Sequence, residues 1–531
     1  MTIFTVSTVA ALVDTAAQQH GSRPAVQSHD RSLTFGELRE AAMETAAALR
    51  RAGVRRGDRV GVCMAKSADQ ALAVLGVLLA DAVLVPVLPR LKREGVAHIV
   101  RDSGMRLMIT DEVRAREVTG AVPELPLLYG QEAAVDPELI LPRLRGRERQ
   151  EGAERENRTG ASIGPDVAAI IYSSGSTGRP KGIMVTHANI TDGARITAQY
   201  LGVRPDDRIG SLLSLDFDYG LNQLWQALLT GACLCLHELV FPADAFRFLH
   251  EQRITVLPVM PVIITRLFDP RLLRRRPSYD LSAVRCVSTS GGAVSRRMLD
   301  DLAATFPAAE VFLMYGLTEA FRSTYLEPDQ LATRPHSIGR AIPDVEILVL
   351  DEELREVGPG ERGELVHRGG CVSKGYWNAP EATAVRFREL PRFPGERVVF
   401  SGDIVTRDEE GYLYFVGRRD TMIKTSGYRV SPTEVEEVAV GFPAVEMCAA
   451  VGVRNIEIGE DIALFYSSTS AEPVDEDALR RFLRDKLPSH MVPRYLWRRD
   501  GFPATGNGGK IDRQELAVEA AGRAGGPGDD H

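Results

Sequence analysis

A chain of 531 residues is too long for one ordinary core and predicts two to four domains. With 44% hydrophobic and 26% charged residues it has the composition of a globular protein. A formal net charge of -8 gives no electrostatic reason to expect nucleic acid or an anionic membrane as partner. The cysteines (Cys63, Cys233, Cys235, Cys286, Cys371, Cys448) are scattered, and Cys233 and Cys235 lack the second ligand pair of a zinc site. Such scattered cysteines make a reducing cytoplasm the expected setting, and with no basic stretch ahead of an apolar core at the N-terminus no signal peptide is expected. The longest apolar stretch, residues 71–88, is broken by Asp81 and Pro86, so it reads as a buried helix and a strand, not a membrane span.

In chain order, Thr34 and Glu37 have the spacing of a capping box opening a helix that ends near Gly53. Residues 59–64 read as a strand, 69–80 as a helix and 83–87 as a strand. Residues 102–110 repeat the helix-to-strand step. This alternation predicts an α/β domain with a largely parallel sheet. Residues 142–160 are charged and almost without apolar side chains, as in a solvated loop.

The buried-strand pattern 167–171 runs into Tyr172-Ser-Ser-Gly-Ser-Thr-Gly-Arg-Pro-Lys-Gly182. Glycines, hydroxyls and exposed backbone N–H groups behind a strand, with Lys181 as cation, predict a cradle for phosphate. It is not a Walker A loop, because Gly182 follows Lys181 where Ser or Thr is required. The residues after Lys181 are read as helical, with a helix from about Ala188. Residues 212–222 join a strand to a helix. There Asp216 and Asp218 beside Phe217 and Tyr219 either line a pocket or cap the helix. Residues 284–293 form a strand entering a glycine turn, and Ser295 caps the next helix. Residues 311–319 form a strand ending in a polar turn at Thr318-Glu319, with Glu319 a candidate Mg²⁺ ligand. In parallel sheets ligands sit at strand C-terminal ends, which places the ends near 172, 216, 291 and 315 at one site.

From about 337 to 417, short alternating strands between Gly and Pro turns predict a β subdomain. Ser431-Pro432-x-Glu434 opens a helix with Pro at its first position. The remaining residues read as a small α/β domain. It includes a helix from Asp475 to Lys486, the loop Thr505-Gly-Asn-Gly-Gly-Lys510 and a disordered tail after about 518.

In order and spacing these motifs resemble the adenylate-forming superfamily of acyl-CoA synthetases, peptide-synthetase adenylation domains and luciferases, from about residue 30 to 515. The resemblance implies a large domain (1–417), a hinge (418–420, with Asp420) and a small mobile domain (421–531). It implies ATP and Mg²⁺ as cofactors, a small carboxylic acid as substrate, and CoA or a phosphopantetheine carrier protein as acyl acceptor. Ser173, Ser174, Gly175, Ser176, Thr177, Gly178 and Lys181 match the phosphate loop. Gly291, Gly292, Ala293, Tyr315, Gly316 and Thr318 match the adenine and Mg·ATP segments. Asp403 and Arg418 match the ribose-binding residues. Lys424–Val430 resembles the small-domain loop of the second half-reaction. Thr177, Glu319 and Lys510 would be catalytic, Lys510 approaching the reacting carboxylate and α-phosphate. Phe217, Asp218, Tyr219, Asn222, Gly292 and Gly316 would line the acid pocket.

Two departures stand out. The loop before Lys510 carries one glycine more than the family spacing, an insertion that costs a loop little. Phe217 stands where many acyl-CoA synthetases have His, and Phe217-Asp218 looks like amino-acid adenylation domains, in which the Asp pairs with the substrate ammonium. That implies an amine-bearing acid, with Arg322 as the alternative partner of Asp218. Residues 217–224 and 314–325 also resemble the acyl-CoA ligase-like group associated with exosortase clusters. Two other readings keep the nucleotide site: a nitrite-activating enzyme that forms N–N bonds, and a catalytically silent nucleotide-binding regulator.

Overall fold

Thr34 opens the helix Phe35–Arg51 with the expected capping box: its hydroxyl accepts from the Glu37 N–H while Glu37 accepts from the Thr34 N–H. The computed structural model describes residues 6–29, 31–129, 161–173, 180–269, 279–419, 421–425, 428–455, 458–468, 474–503 and 511–524. These form mixed α/β structure in two compact units, Met1–Ile347 with His367–Val399, and Leu348–Val366 with Phe400–His531.

The first unit holds two sheets. In one, Leu127–Tyr129, Leu107–Thr110, Arg59–Cys63, Val83–Pro86 and Val167–Ser173 lie parallel in that order. Lys181–Thr186 closes it antiparallel to Val167–Ser173, so the residues after Lys181 are a strand, not the expected helix. The physical reason is a long-range one. The short run Ile183-Met184-Val185 pairs along a buried strand, and β-branched residues fit that pleated surface better than a helix. The helix proper is His187–Tyr200.

In the other sheet, Glu310–Leu317, Cys286–Thr289, Val256–Val259, Arg208–Ser211, Cys233–Leu236 and Pro24–Gln27 are parallel neighbours. Ala320–Leu326 and Ser32–Thr34 flank them antiparallel. One apolar core joins both sheets: Val60, Leu84 and Leu107 from the first, Ile209, Leu234 and Val256 from the second, with Leu38, Leu75, Ala194 and Leu224 from the helices between. Each such leucine contributes about 2 kcal/mol by leaving water. The helix Ala68–Leu79 is buried at every position but Asp69, which explains its all-round hydrophobicity. Among the described residues no helix is long and apolar enough to cross a membrane.

In the second unit, Tyr428–Val430, Ile423–Thr425, Gly459–Ser468 and Val445–Asn455 form a sheet in that order, with Tyr495–Arg498 parallel to Gly459–Ser468. The period of two along these strands separates two cores. Cys448, Ala450, Leu464 and Tyr466 face Val435, Leu479 and Leu483 of the helices Pro432–Val440 and Glu476–Lys486. Ala449, Val451, Ala463 and Phe465 face Leu516 and Ala520. The last two belong to the helix Arg513–Ala524, which runs beyond the expected start of the tail at about 518.

Candidate active site

The neck of the expected phosphate loop is a β-hairpin. Ser173 and Lys181 are cross-strand partners, and the loop between them leaves a strand buried almost throughout. The phenol of Tyr172 anchors that strand by donating to Asp102 Oδ2 at 2.6 Å, and burial pushes its proton affinity well up. Ser174, Gly175, Ser176, Thr177 and Gly178 lie outside the described residues, as do Asp420 and Lys510. Lys181 Nζ stands 5.5 Å from the centroid of the Tyr376 ring.

Tyr376 links this hairpin to the polar turn between Glu310–Leu317 and Ala320–Leu326. Its hydroxyl donates to Glu319 Oε1 at 2.6 Å, and burial followed by the Glu319 charge raises the phenol above its ordinary range. The Ser373 N–H fixes the Glu319 carbonyl at 2.8 Å. Glu319 is half-buried, ionisable and oriented through one oxygen. A hard carboxylate oxygen beside the hairpin of the expected phosphate loop fits Mg²⁺, which takes one or two carboxylates and completes its shell with phosphates and water.

Gly316 lies where the hairpin is irregular. Between the pairs Tyr315–Thr324 and Leu317–Ala320, one strand has one residue and the other three. A Cβ on Gly316 would come within 2.8 Å of Arg322 Cα and 2.9 Å of its nitrogen, so the backbones approach as only glycine allows. Gly291, Gly292 and Ala293 follow the end of Cys286–Thr289 and are exposed. Gly291 has φ +90°, which explains a glycine at the turn.

Asp218 begins the helix Asp218–Thr230, whose N-cap Phe217 makes no side-chain capping bond. Asp218 Oδ1 accepts from the Tyr219 N–H at 2.6 Å and Oδ2 from the Thr318 hydroxyl at 2.9 Å. It thus ties the helix start to the Glu319 turn. With Asn222, Trp225 and Phe321 it lines a small cavity of about 30 Å³, room for one water. Asn222 is buried and accepts from Gln226. Asp216 is no cap either: it accepts from Gln70 at 2.7 Å and from Ser214, and burial raises its carboxyl to about 7. Arg322 does not pair with Asp218. Its Nη1 donates to Ser290 Oγ at 3.1 Å, and the guanidinium packs over the Tyr219 ring at 4.0 Å. Tyr219 is itself pinned, its hydroxyl donating to the Ser288 carbonyl at 2.9 Å.

In the second unit, Asp403 and Arg418 are cross-strand partners on Arg397–Arg407 and Leu413–Arg418, with Arg418 Nη1 3.3 Å from Asp403 Oδ1. The Ser401 hydroxyl accepts from the Asp403 N–H, and Glu364 Oε1 accepts from the Gly402 N–H at 2.8 Å. A carboxylate on a tied-down backbone beside one cation suits a pair of sugar hydroxyls.

The first unit thus brings Lys181, Glu319, Thr318 and Asp218 into one chain of contacts, through Tyr376 and the hairpin turn. Tyr376 escaped the sequence reading. Its only local signal is Gly375-Tyr376-Trp377, an aromatic pair after glycine, which does not announce a partner 57 residues away.

Residues 13–377 match the family model of AMP-binding enzymes, and residues 434–509 match that of the AMP-binding enzyme C-terminal domain. The chain belongs to the AMP-binding enzyme family. It is 31% identical to Surfactin synthase subunit 2 of Bacillus subtilis over 99% of its own length and 14% of that protein. It is 33% identical to the phosphinothricin tripeptide synthetase PhsC of Streptomyces viridochromogenes, covering 96% of this chain and 45% of that one. The chain therefore spans less than half the length of these curated relatives. Among solved structures, ATP-bound MatB from Rhodopseudomonas palustris aligns with TM-score 0.82 at 24% identity, over 96% of this chain and 99% of that one. The o-succinylbenzoate CoA synthetase MenE of Bacillus subtilis aligns with TM-score 0.80 at 24% identity, over 95% and 97%. Both likenesses establish the fold.

Proposed function

We propose that this chain is an ATP-dependent, AMP-forming ligase that adenylates a carboxylic acid and passes the acyl group to the pantetheine thiol of CoA or a carrier protein. The observation that carries the reading is the chain of contacts from Lys181 through Tyr376 to Glu319, and from Thr318 to Asp218, at the strand ends of the first unit. A carboxylate and a triphosphate repel each other, so the site has to neutralise charge and align an in-line attack on the α-phosphorus. Lys181 and the donors of residues 173–178 hold phosphate oxygens, and Glu319, oriented by Tyr376, holds Mg²⁺. When bound, Mg²⁺ supplies charge neutralisation at the phosphates. Lys510 approaches the reacting carboxylate, Asp403 and Arg418 hold the ribose, and the backbone at 291–293 and Tyr315 flank the adenine. The large domain ends at about 417. The small domain, from 421, turns about Asp420 between the two half-reactions.

The family match, the peptide-synthetase relatives and the fold support this reading. Free cysteines, all buried, support a reducing, cytoplasmic setting. The acid is amine-bearing if Asp218 has capacity for an ammonium beyond Thr318 and its own helix. The test is product identification with ATP, Mg²⁺, an acid panel and CoA or a phosphopantetheinylated carrier. The reading expects AMP, pyrophosphate and a thioester. ADP and phosphate contradict it, and AMP release that needs nitrite and an amine but no thiol assigns the nitrite-activating chemistry instead.

A further inference from the structure

Arg322 is 5% exposed and carries a guanidinium cation. Burying a cation is costly unless a counter-ion compensates it. Among the described residues its only polar contact is from Nη1 to the Ser290 hydroxyl, a neutral partner. Nε and Nη2 are buried with no hydrogen-bond partner there. These two atoms form one edge of the guanidinium, the edge whose parallel N–H bonds match the two oxygens of a carboxylate. The flat faces are covered, with Cζ 4.0 Å from the Tyr219 ring and 4.8 Å from the Phe321 ring. Such contacts offset only part of the desolvation. The backbone is turned to this purpose: Arg322 has φ +58°, a left-handed conformation that an arginine adopts at a cost, at the irregularity opposite Gly316. Ser290 directly follows one parallel strand and Tyr219 lies in the first turn of the helix after another, so the fork sits at the edge that carries Asp218 and Glu319.

We infer that Arg322 binds a second anionic group of the acid, a carboxylate held side-on by Nε and Nη2, and that the substrate class is dicarboxylic. This rests on the ligase reading above. The group held is not the one that reacts. The activated carboxylate loses its charge on becoming the acyl-adenylate, which would strand the buried cation again. A second carboxylate stays ionised through both half-reactions. A two-oxygen grip on the reacting group would also stabilise the ground state and slow the attack.

The experiment is ATP–pyrophosphate exchange by the full chain with matched pairs: butanoate and butanedioate, hexanoate and hexanedioate, 2-aminobutanoate and aspartate. The wild type is expected to favour at least one dicarboxylate over its partner by about a hundredfold in kcat/KM, the scale of losing a buried charge partner. In Arg322→Leu that ratio is expected to fall to within about threefold, chiefly through KM, and Arg322→Lys, which keeps the charge without the fork, to be intermediate. A wild type that prefers the monocarboxylates overturns the inference whether or not either variant folds. So does an Arg322→Leu variant that binds a fluorescent ATP analogue normally yet loses all acids equally. Failure to exchange with any of these acids or with any other carboxylic acid refutes the ligase reading itself. Exchange with monocarboxylates alone spares that reading and removes only the role of Arg322.

Discussion

Tyr376→Phe removes one oxygen and leaves the ring that packs against Phe387 and stands near Lys181. What is lost is the 2.6 Å bond from the phenol to Glu319 Oε1. A hydrogen bond to a charged acceptor contributes about 1.5–3 kcal/mol. Glu319 is half-buried and water replaces part of the loss, which puts the effect at the lower end, about 1.5 kcal/mol. Because each 1.36 kcal/mol is a factor of ten, a Glu319 released from its orientation should lower kcat/KM for adenylation about tenfold. The apparent KM for Mg²⁺ should rise with it. The assay is pyrophosphate release at fixed acid over a Mg²⁺ titration, with thermal unfolding run in parallel. Wild-type kcat/KM and Mg²⁺ dependence in the variant would refute the positioning role of Tyr376. A large loss of stability with an unchanged Mg²⁺ profile would show the contact to be structural.

Gly316→Ala places a methyl 2.8 Å from the Arg322 backbone, where no flexible side chain can yield. A stability loss of about 1–3 kcal/mol in urea unfolding is expected, as for overpacked sites, together with weaker adenylation. Lys510→Ala should lower adenylation by about a hundredfold or more, while thioester formation from a supplied acyl-adenylate falls less than about tenfold; equal losses in both steps would remove its assigned role. His187 is buried, accepts from the Val9 N–H through Nδ1, and has its pKa lowered from 6.5 to about 4, chiefly by desolvation. The unfolded chain therefore binds the extra proton between pH 6.5 and 4. The stability contributed by neutral His187 is full above about 6.5 and is lost as pH falls through that window, about 3 kcal/mol in all. Urea midpoints of wild type and His187→Gln at pH 7 and pH 4.5 should show the variant with the smaller acid loss, and equal losses would contradict this.

Local rules made much of the fold legible. Thr34 and Glu37, Ser295 before its helix, and Pro432 at a first helical position each act within one turn. The alternation of strands and helices through residue 110 likewise reflects each segment's own period. The strand Lys181–Thr186 was not legible, because its six residues take their conformation from a partner strand. At the site, Asp218 and Glu319 stand out as polar residues at strand ends, but what holds them does not. Thr318 lies 100 positions from Asp218, and Tyr376 is 57 from Glu319. The isolation of Arg322 was equally hidden. A sequence shows the charge, whereas the lack of a hydrogen-bond partner for Nε and Nη2 among the described residues is a property of the packed core.

In the proposed reaction a carboxylic acid attacks the α-phosphorus of ATP in this site. Acid-dependent exchange of labelled pyrophosphate into ATP, with AMP as the only other nucleotide formed, tests it most directly. Exchange is expected to require Mg²⁺ and an acid, to be weakened about tenfold by Tyr376→Phe, and not to need a thiol. ATP binding without exchange across fatty, aryl, amino and dicarboxylic acids would contradict it and leave a nucleotide-binding regulator in its place.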